Sequence, residues 1–189
     1  MQDGYSLLEK KNNQEACDIW LITWEKLKEN FDLSVQDIKK LDDSINLYQF
    51  LSNWVQDMEM ELANLGLKDK QYARKRILFC AEFIEHFPLS ADIIIHNMKR
   101  AIAESYYVLG DSNTGEEYFK KLIEEHPDYI WGYIGYGDMY SMPFNDGVVD
   151  FDKAEEIYSM ALRMDLKNKE DLLDRLDDLK SRRLELVND

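Results

Sequence analysis

HNMKRAIAESYYVLGDSNTGEEYFKKLIEEHP, residues 96 to 127, is the stretch that decides the fold. Counted from His96 as position 1 of a 34-residue frame, Ala103, Tyr106, Gly110, Gly115, Phe119 and Pro127 take positions 8, 11, 15, 20, 24 and 32. A second pass starting at Ile130 puts Gly137 and Tyr140 at positions 8 and 11, and after about five extra residues Ala154, Tyr158 and Ala161 fall at 20, 24 and 27. Six coincidences in one frame, echoed in the next, are strong evidence where any single one is weak.

Each position has a physical cause. Two helices joined by a turn bury their apolar faces only where a small residue lets them approach and an aromatic fills the space beside it. Ala103 and Gly137 are the small residues on the first helices, Gly115 and Ala154 their partners on the second, and Tyr106, Tyr140, Phe119 and Tyr158 the fillers. Gly110 stands where the first helix stops and the chain reverses, a left-handed position that costs glycine little. Pro127 follows the second helix, where its missing N–H does no harm.

Working outward, a short helix over Tyr5 to Lys11 precedes a second from Gln14 to Asn30, with Ala16, Ile19, Trp20, Thr23, Trp24 and Leu27 at helical spacing. Ala16 and Trp20 repeat the spacing of Ala154 and Tyr158, so this pair reads as a degenerate repeat. Asp32 or Ser34 caps a brief helix through Leu41, and Asp43 or Ser44 starts a long one from Ile45 to Leu65, with Leu47, Phe50, Leu51, Trp54, Met58 and Leu62 on one face. A further helix runs from Asp69 to Phe87, and Ser90 caps the one ending at Leu109. Ser141 to Asp150, containing Met142, Pro143, Phe144 and Gly147, is an inserted loop within the last repeat. Asn168 caps a last helix with Leu172, Leu173, Leu176, Leu179 and Leu184 in one stripe and Asp174, Asp177, Asp178, Lys180, Arg182 and Arg183 on its wet faces.

The chain has 189 residues, 45% hydrophobic and 12% aromatic, with three prolines and eight glycines, a composition suited to long helices and a sizeable core. A formal charge of -15, with acidic residues in excess in both halves, argues against nucleic acid as a partner, because phosphate binding rests on a basic footprint. No segment approaches the about 20 apolar residues of a membrane helix. Cys17 and Cys80 are far apart, lack metal-ligand spacing and sit beside alanines on apolar faces, so buried thiols and a reducing cytoplasm are expected.

The spacing resembles the tetratricopeptide (TPR) repeat. At ACDIWLITWEKL (16 to 27), LDDSINLYQFLSNWVQDMEMEL (41 to 62) and WGYIGYGDMY (131 to 140) the chain resembles bacterial cytoplasmic TPR-like proteins, some of which carry a C-terminal cysteine-rich SEC-C zinc motif. No cysteine follows Cys80, so a zinc role of such relatives does not carry over. The resemblance implies an all-α fold, a right-handed α-solenoid of antiparallel helix pairs closed by a C-terminal capping helix. The expected organisation is one domain over 1–189: degenerate repeat-like helices over 1–88, one repeat over 89–129, a second with its inserted loop over 130–166, and the capping helix over 167–189.

For chemistry the sequence offers little. His86 and His126 each end a second helix just before a proline, where a cation meets the negative end of the helix dipole. Asp42 with Asp43 and Asp177 with Asp178 are adjacent in sequence, hence not facing each other on a helix, and read as solvated surface. No catalytic, cofactor or metal residue is nominated. The concave face that the TPR resemblance implies is lined by frame positions 2, 5, 9 and 12, here Asn97, Arg100, Glu104 and Tyr107, then Trp131, Ile134 and Asp138. The expectation is that such a face clamps an extended peptide through backbone hydrogen bonds and one charge pair. Against that, Arg100 pairs with Glu104 at i, i+4 and Trp131 packs under a neighbouring helix. Gly132 and Gly135, beside Gly137, serve either close packing or close approach of a ligand. The expected function is a non-enzymatic scaffold or adaptor for a protein or peptide, with no nucleic-acid or membrane partner. The alternative is a homodimer formed through exposed aromatic surface at Trp20, Trp24 and Trp54 or through the last helix.

Overall fold

A computed structural model describes residues 1–30, 32, 34–45, 47–142, 149–166 and 169–188. Among the described residues all regular structure is helical, with ten helices and no strand, so the all-α expectation holds. No helix of the described residues is long and apolar enough to cross a membrane. The chain divides into two compact units, Met1–Ser105 and Tyr106–Asp189, the division falling within helix α6 (Asp92–Leu109).

In the first unit α1 (Gln2–Glu9) packs on α2 (Asn13–Asn30), and α4 (Leu51–Gly66) on α5 (Lys70–His86). Both crossings use a small residue. Gly4 lies against the Trp20 indole with no room for a Cβ, and Gly66 meets the Ala73 backbone, where a Cβ would come within 3.2 Å of its nitrogen. Trp20, Trp24 and Trp54 form the middle of the core. Trp20 and Trp54 meet edge to face at 6.4 Å, as do Trp24 and Phe79 at 5.1 Å. The expectation of exposed tryptophans as a dimer surface is therefore corrected: these rings are spent on packing. Cys17 and Cys80 are buried free thiols, as their neighbours predict.

The region 37–51 departs from the expected helices. The structure places α3 at Ile38–Ser44, capped by Asp37, which accepts from the Lys39 N–H, whereas the Asp32 carboxylate accepts the Ser34 N–H. No helix runs from Ile45. The chain leaves α3 extended at Ile45 and regains helical geometry at Leu51. Asp42 is the cause. It is only 8% exposed, and its two carboxylate oxygens accept the Leu51 and Ser52 N–H groups, so it caps α4 from nine residues upstream. The reading of Asp42 as solvated surface is corrected, while Asp43 is exposed as expected. Ser90 likewise serves another helix: its hydroxyl accepts the Ile38 N–H at 3.1 Å, at the start of α3.

In the second unit α7 (Ser112–Glu125) is capped by Asp111 and α9 (Phe151–Leu162) by Asp150. Gly110 has φ +89° with open space around it, the left-handed position that the repeat spacing predicts. On α8 (Ile130–Ser141), Gly137 presses on the Tyr158 ring of α9 with no room for a Cβ. Gly132 and Gly135 are buried on the same helix. Leu172, Leu176 and Leu179 of α10 (Glu170–Asn188) are buried, but Leu173 and Leu184 of the expected stripe are exposed. Nor are all the polar faces of α10 wet: Arg175 reaches Asp138, Arg182 the Ser141 carbonyl, and Arg183 both Asp152 and Glu155. Pro143, Phe144, Gly147 and the proposed cap Asn168 lie outside the described residues.

Candidate functional site

Of the nominated residues, Asn97, Arg100 and Glu104 belong to the first unit, and Tyr107, Trp131, Ile134 and Asp138 to the second. Glu104 is the endpoint of a charge cluster that joins three helices. Arg76 of α5, buried, donates Nε to Glu59 of α4 at 2.7 Å, Nη2 to Glu104 of α6 at 2.7 Å, and Nη1 to the Ser105 hydroxyl at 3.3 Å. Burial alone would favour the neutral guanidine, but the Glu59 and Glu104 carboxylates overcome it and hold Arg76 above its ordinary pKa. Arg100 takes the other Glu104 oxygen at 3.3 Å, one turn along the same helix. Burial also pushes the nearby Cys80 thiol well above its ordinary value, leaving it a poor nucleophile.

In the second unit Asp138 accepts the Tyr158 hydroxyl at 2.6 Å and Arg175 Nε at 3.0 Å, tying α8 to α9 and α10. Tyr107 is buried and donates its hydroxyl to Tyr140 at 3.1 Å, which donates in turn to Glu116. Glu116 also receives Lys120 at 2.7 Å and Lys153 at 3.0 Å. Partial burial works against its charge, yet the hydrogen bonds from Lys120, Tyr140 and Lys153 prevail and lower it to about 2. Ile134 is only 2% exposed and serves the core, whereas Trp131 keeps 38% of its surface in solvent. His86 points its Nδ1 at the Glu82 carbonyl at 2.8 Å, at the carboxyl end of α5, and His126 caps α7. Among the described residues no group of three His, Cys, Asp or Glu side chains is placed to hold a metal ion.

A surface that the periodicity conceals lies between α3 and α4. Between the end of α3 and Leu51, Ile45, Leu47, Tyr48 and Phe50 are exposed, Tyr48 fully and Phe50 62% so. An open cleft of about 420 Å³ lies against Phe50; Ile45, Leu47 and Tyr48 do not line it. Its apolar lining is Ile38, Phe50, Ile93 and Ile94, with Lys39 and Asp43 on α3 among its polar residues. The sequence signal pointed the other way: the spacing of Leu47, Phe50, Leu51 and Trp54 suits a buried helix face, whereas Leu47 and Phe50 are exposed. No protein-family model, curated protein or solved structure matches this chain.

Proposed function

We propose that this chain is a non-enzymatic protein-binding module, an adaptor that holds a segment of a partner protein on a helical scaffold. The observation that carries the reading is the exposed Phe50 facing an open cleft that the half-exposed Ile93 also lines, with the exposed Ile45, Leu47 and Tyr48 in the stretch of chain leading to Phe50. Apolar side chains scattered singly on a surface need no explanation, but a group of this kind rimmed by polar residues marks an interaction site. The TPR-like solenoid of helix pairs belongs to the same reading. It is supported within each unit by a small residue lodged under an aromatic, Gly4 under Trp20 and Gly137 under Tyr158.

Of the sequence-nominated face, Asn97, Arg100 and Trp131 retain solvent exposure, while Glu104 and Asp138 have bonds that a partner would have to displace. Affinity capture with the wild-type chain, Phe50→Ser and the Asn97→Ala/Arg100→Ala pair separates the two surfaces. Loss of wild-type partners from Phe50→Ser supports the cleft, and loss from the double variant supports the α6 face. Identical partner sets for all three overturn the reading.

A further inference from the structure

We propose that the cleft between α3 and the starts of α4 and α6 takes a cationic amphipathic helix of a partner protein. This rests on the protein-binding reading above and supplies the chemistry of the occupant. Phe50 and Ile93 are the exposed apolar side chains of a lining that also carries Lys39, Asp43, Ser52, Asn53 and Gln56, so an occupant is apolar where it meets Phe50 and Ile93. At about 420 Å³ it admits a few large side chains rather than the face of a domain. A strand would need a sheet edge to satisfy its backbone, and every regular element among the described residues is a helix. A helix satisfies its own backbone and offers anchors at i, i+4 and i+7.

Charge selects the flanks of that helix. Asp43 lines the cleft from α3, and Asp92, exposed between the lining residues Ala91 and Ile93, stands at the start of α6. Lys39, Lys40 and Asp37 are the remaining charged groups on the α3 side, and Asp42 is committed to the N-terminus of α4. Acidic groups thus lie on both banks, in a chain with a formal charge of -15. A second copy would bring the same sign of charge to the contact, whereas a cationic helix is drawn to it and meets a carboxylate on either side.

The test uses the full chain and two synthetic helix-forming peptides with the same Leu positions at i, i+4, i+7 and i+11, one flanked by Lys and the other by Glu. In fluorescence anisotropy the Lys peptide should bind the wild type and weaken by at least about tenfold against Phe50→Ser, and similarly against Asp43→Lys/Asp92→Lys. The Glu peptide should bind no better to the wild type than the Lys peptide binds to Phe50→Ser. Phe50 is largely exposed, so its variant should keep the wild-type helical circular dichroism; Ile93→Ser is the second variant if it does not. Equal binding of the two peptides, or Lys-peptide binding indifferent to both Phe50→Ser and Ile93→Ser, overturns the proposal. So does a dimer in light scattering that dissociates in Phe50→Ser, which would assign the cleft to a second copy. If the peptides fail while Phe50→Ser still loses captured partners, the occupant is wrong and the protein-binding reading stands. If capture is also indifferent to Phe50 and to the Asn97/Arg100 pair, both fall.

Discussion

Gly4 and Trp20 leave no space between them at the crossing of α1 and α2: a Cβ on Gly4 would overlap the indole, nearest its Nε1. Gly137 and Tyr158 stand in the same relation at the crossing of α8 and α9. Alanine gains roughly 1 kcal/mol over glycine in a helix interior, but here an overpacked aromatic must shift. Gly4→Ala and Gly137→Ala should each still lose about 1–3 kcal/mol. Gly110→Ala, with open space but a φ of +89°, should lose about 1–2 kcal/mol through strain alone. Urea unfolding midpoints test all three; a Gly137→Ala midpoint equal to wild type would remove close crossing as the reason for that glycine.

Asp42 should matter where its neighbour does not. Asp42→Ala leaves the Leu51 and Ser52 N–H groups without their carboxylate and should cost about 1–2 kcal/mol. Asp43→Ala, at an exposed site, should stay within about 0.5 kcal/mol of wild type. Equal effects in a denaturation series would mean that α4 is not capped from α3.

These two cases also show how far the sequence could be read. Gly137 and Gly110 were legible because the steric demand that fixes each repeats at a set distance along the chain. The caps Asp69, Asp111 and Asp150 were within reach for the same reason, each bonding an N–H two or three residues on. Asp42 and Ser90 bond N–H groups nine and 52 residues away, and no local pattern announces such a bond. Leu47 and Phe50 carry helical spacing yet face solvent, so periodicity alone placed them in the core and hid the cleft. At the nominated face the i, i+4 pair of Arg100 with Glu104 was readable, whereas Arg76 reaches Glu104 from 28 residues away in sequence, which no local pattern announces.

Lys11 is held at φ 62° just beyond α1, where the N–H groups of Lys11 and Asn12 return to the carbonyls of Leu8 and Leu7. That is a helix ending in which glycine is the favoured residue. Lys11→Gly relieves about 1–2 kcal/mol of left-handed strain and loses part of it, about 0.4–1 kcal/mol, to the freer unfolded chain. A small net stabilisation should appear as a higher urea midpoint, and a lower midpoint would show that the lysine side chain has a role of its own.

Arg76→Ala should be the most damaging single change in the first unit. It removes a cation bonded to both Glu59 and Glu104, strands the Glu59 carboxylate and leaves Glu104 with Arg100; breaking comparable buried pairs costs about 3–5 kcal/mol. Arg76→Ala combined with Glu59→Gln and Glu104→Gln should recover part of that loss, because the stranded charge rather than the missing contacts dominates it. A triple variant no more stable than Arg76→Ala would place the cost in lost packing instead.

Glu116 ties the stability of the second unit to acid. Its folded carboxyl, held by Lys120, Tyr140 and Lys153, ionises near 2 against an ordinary 4.5. A carboxyl depressed on folding stabilises the folded state at every pH above its unfolded value, and the contribution drains away as protons bind the unfolded chain first. The Glu116 share should therefore be complete above pH 4.5 and vanish as the pH falls to about 2. Glu116→Gln removes that share at all pH values. Thermal melts from pH 6 downward should show wild type and variant separated near neutrality and converging in acid. A gap that persists undiminished into the acid range would mean that Glu116 acts through its shape and neutral hydrogen bonds, and not through its charge.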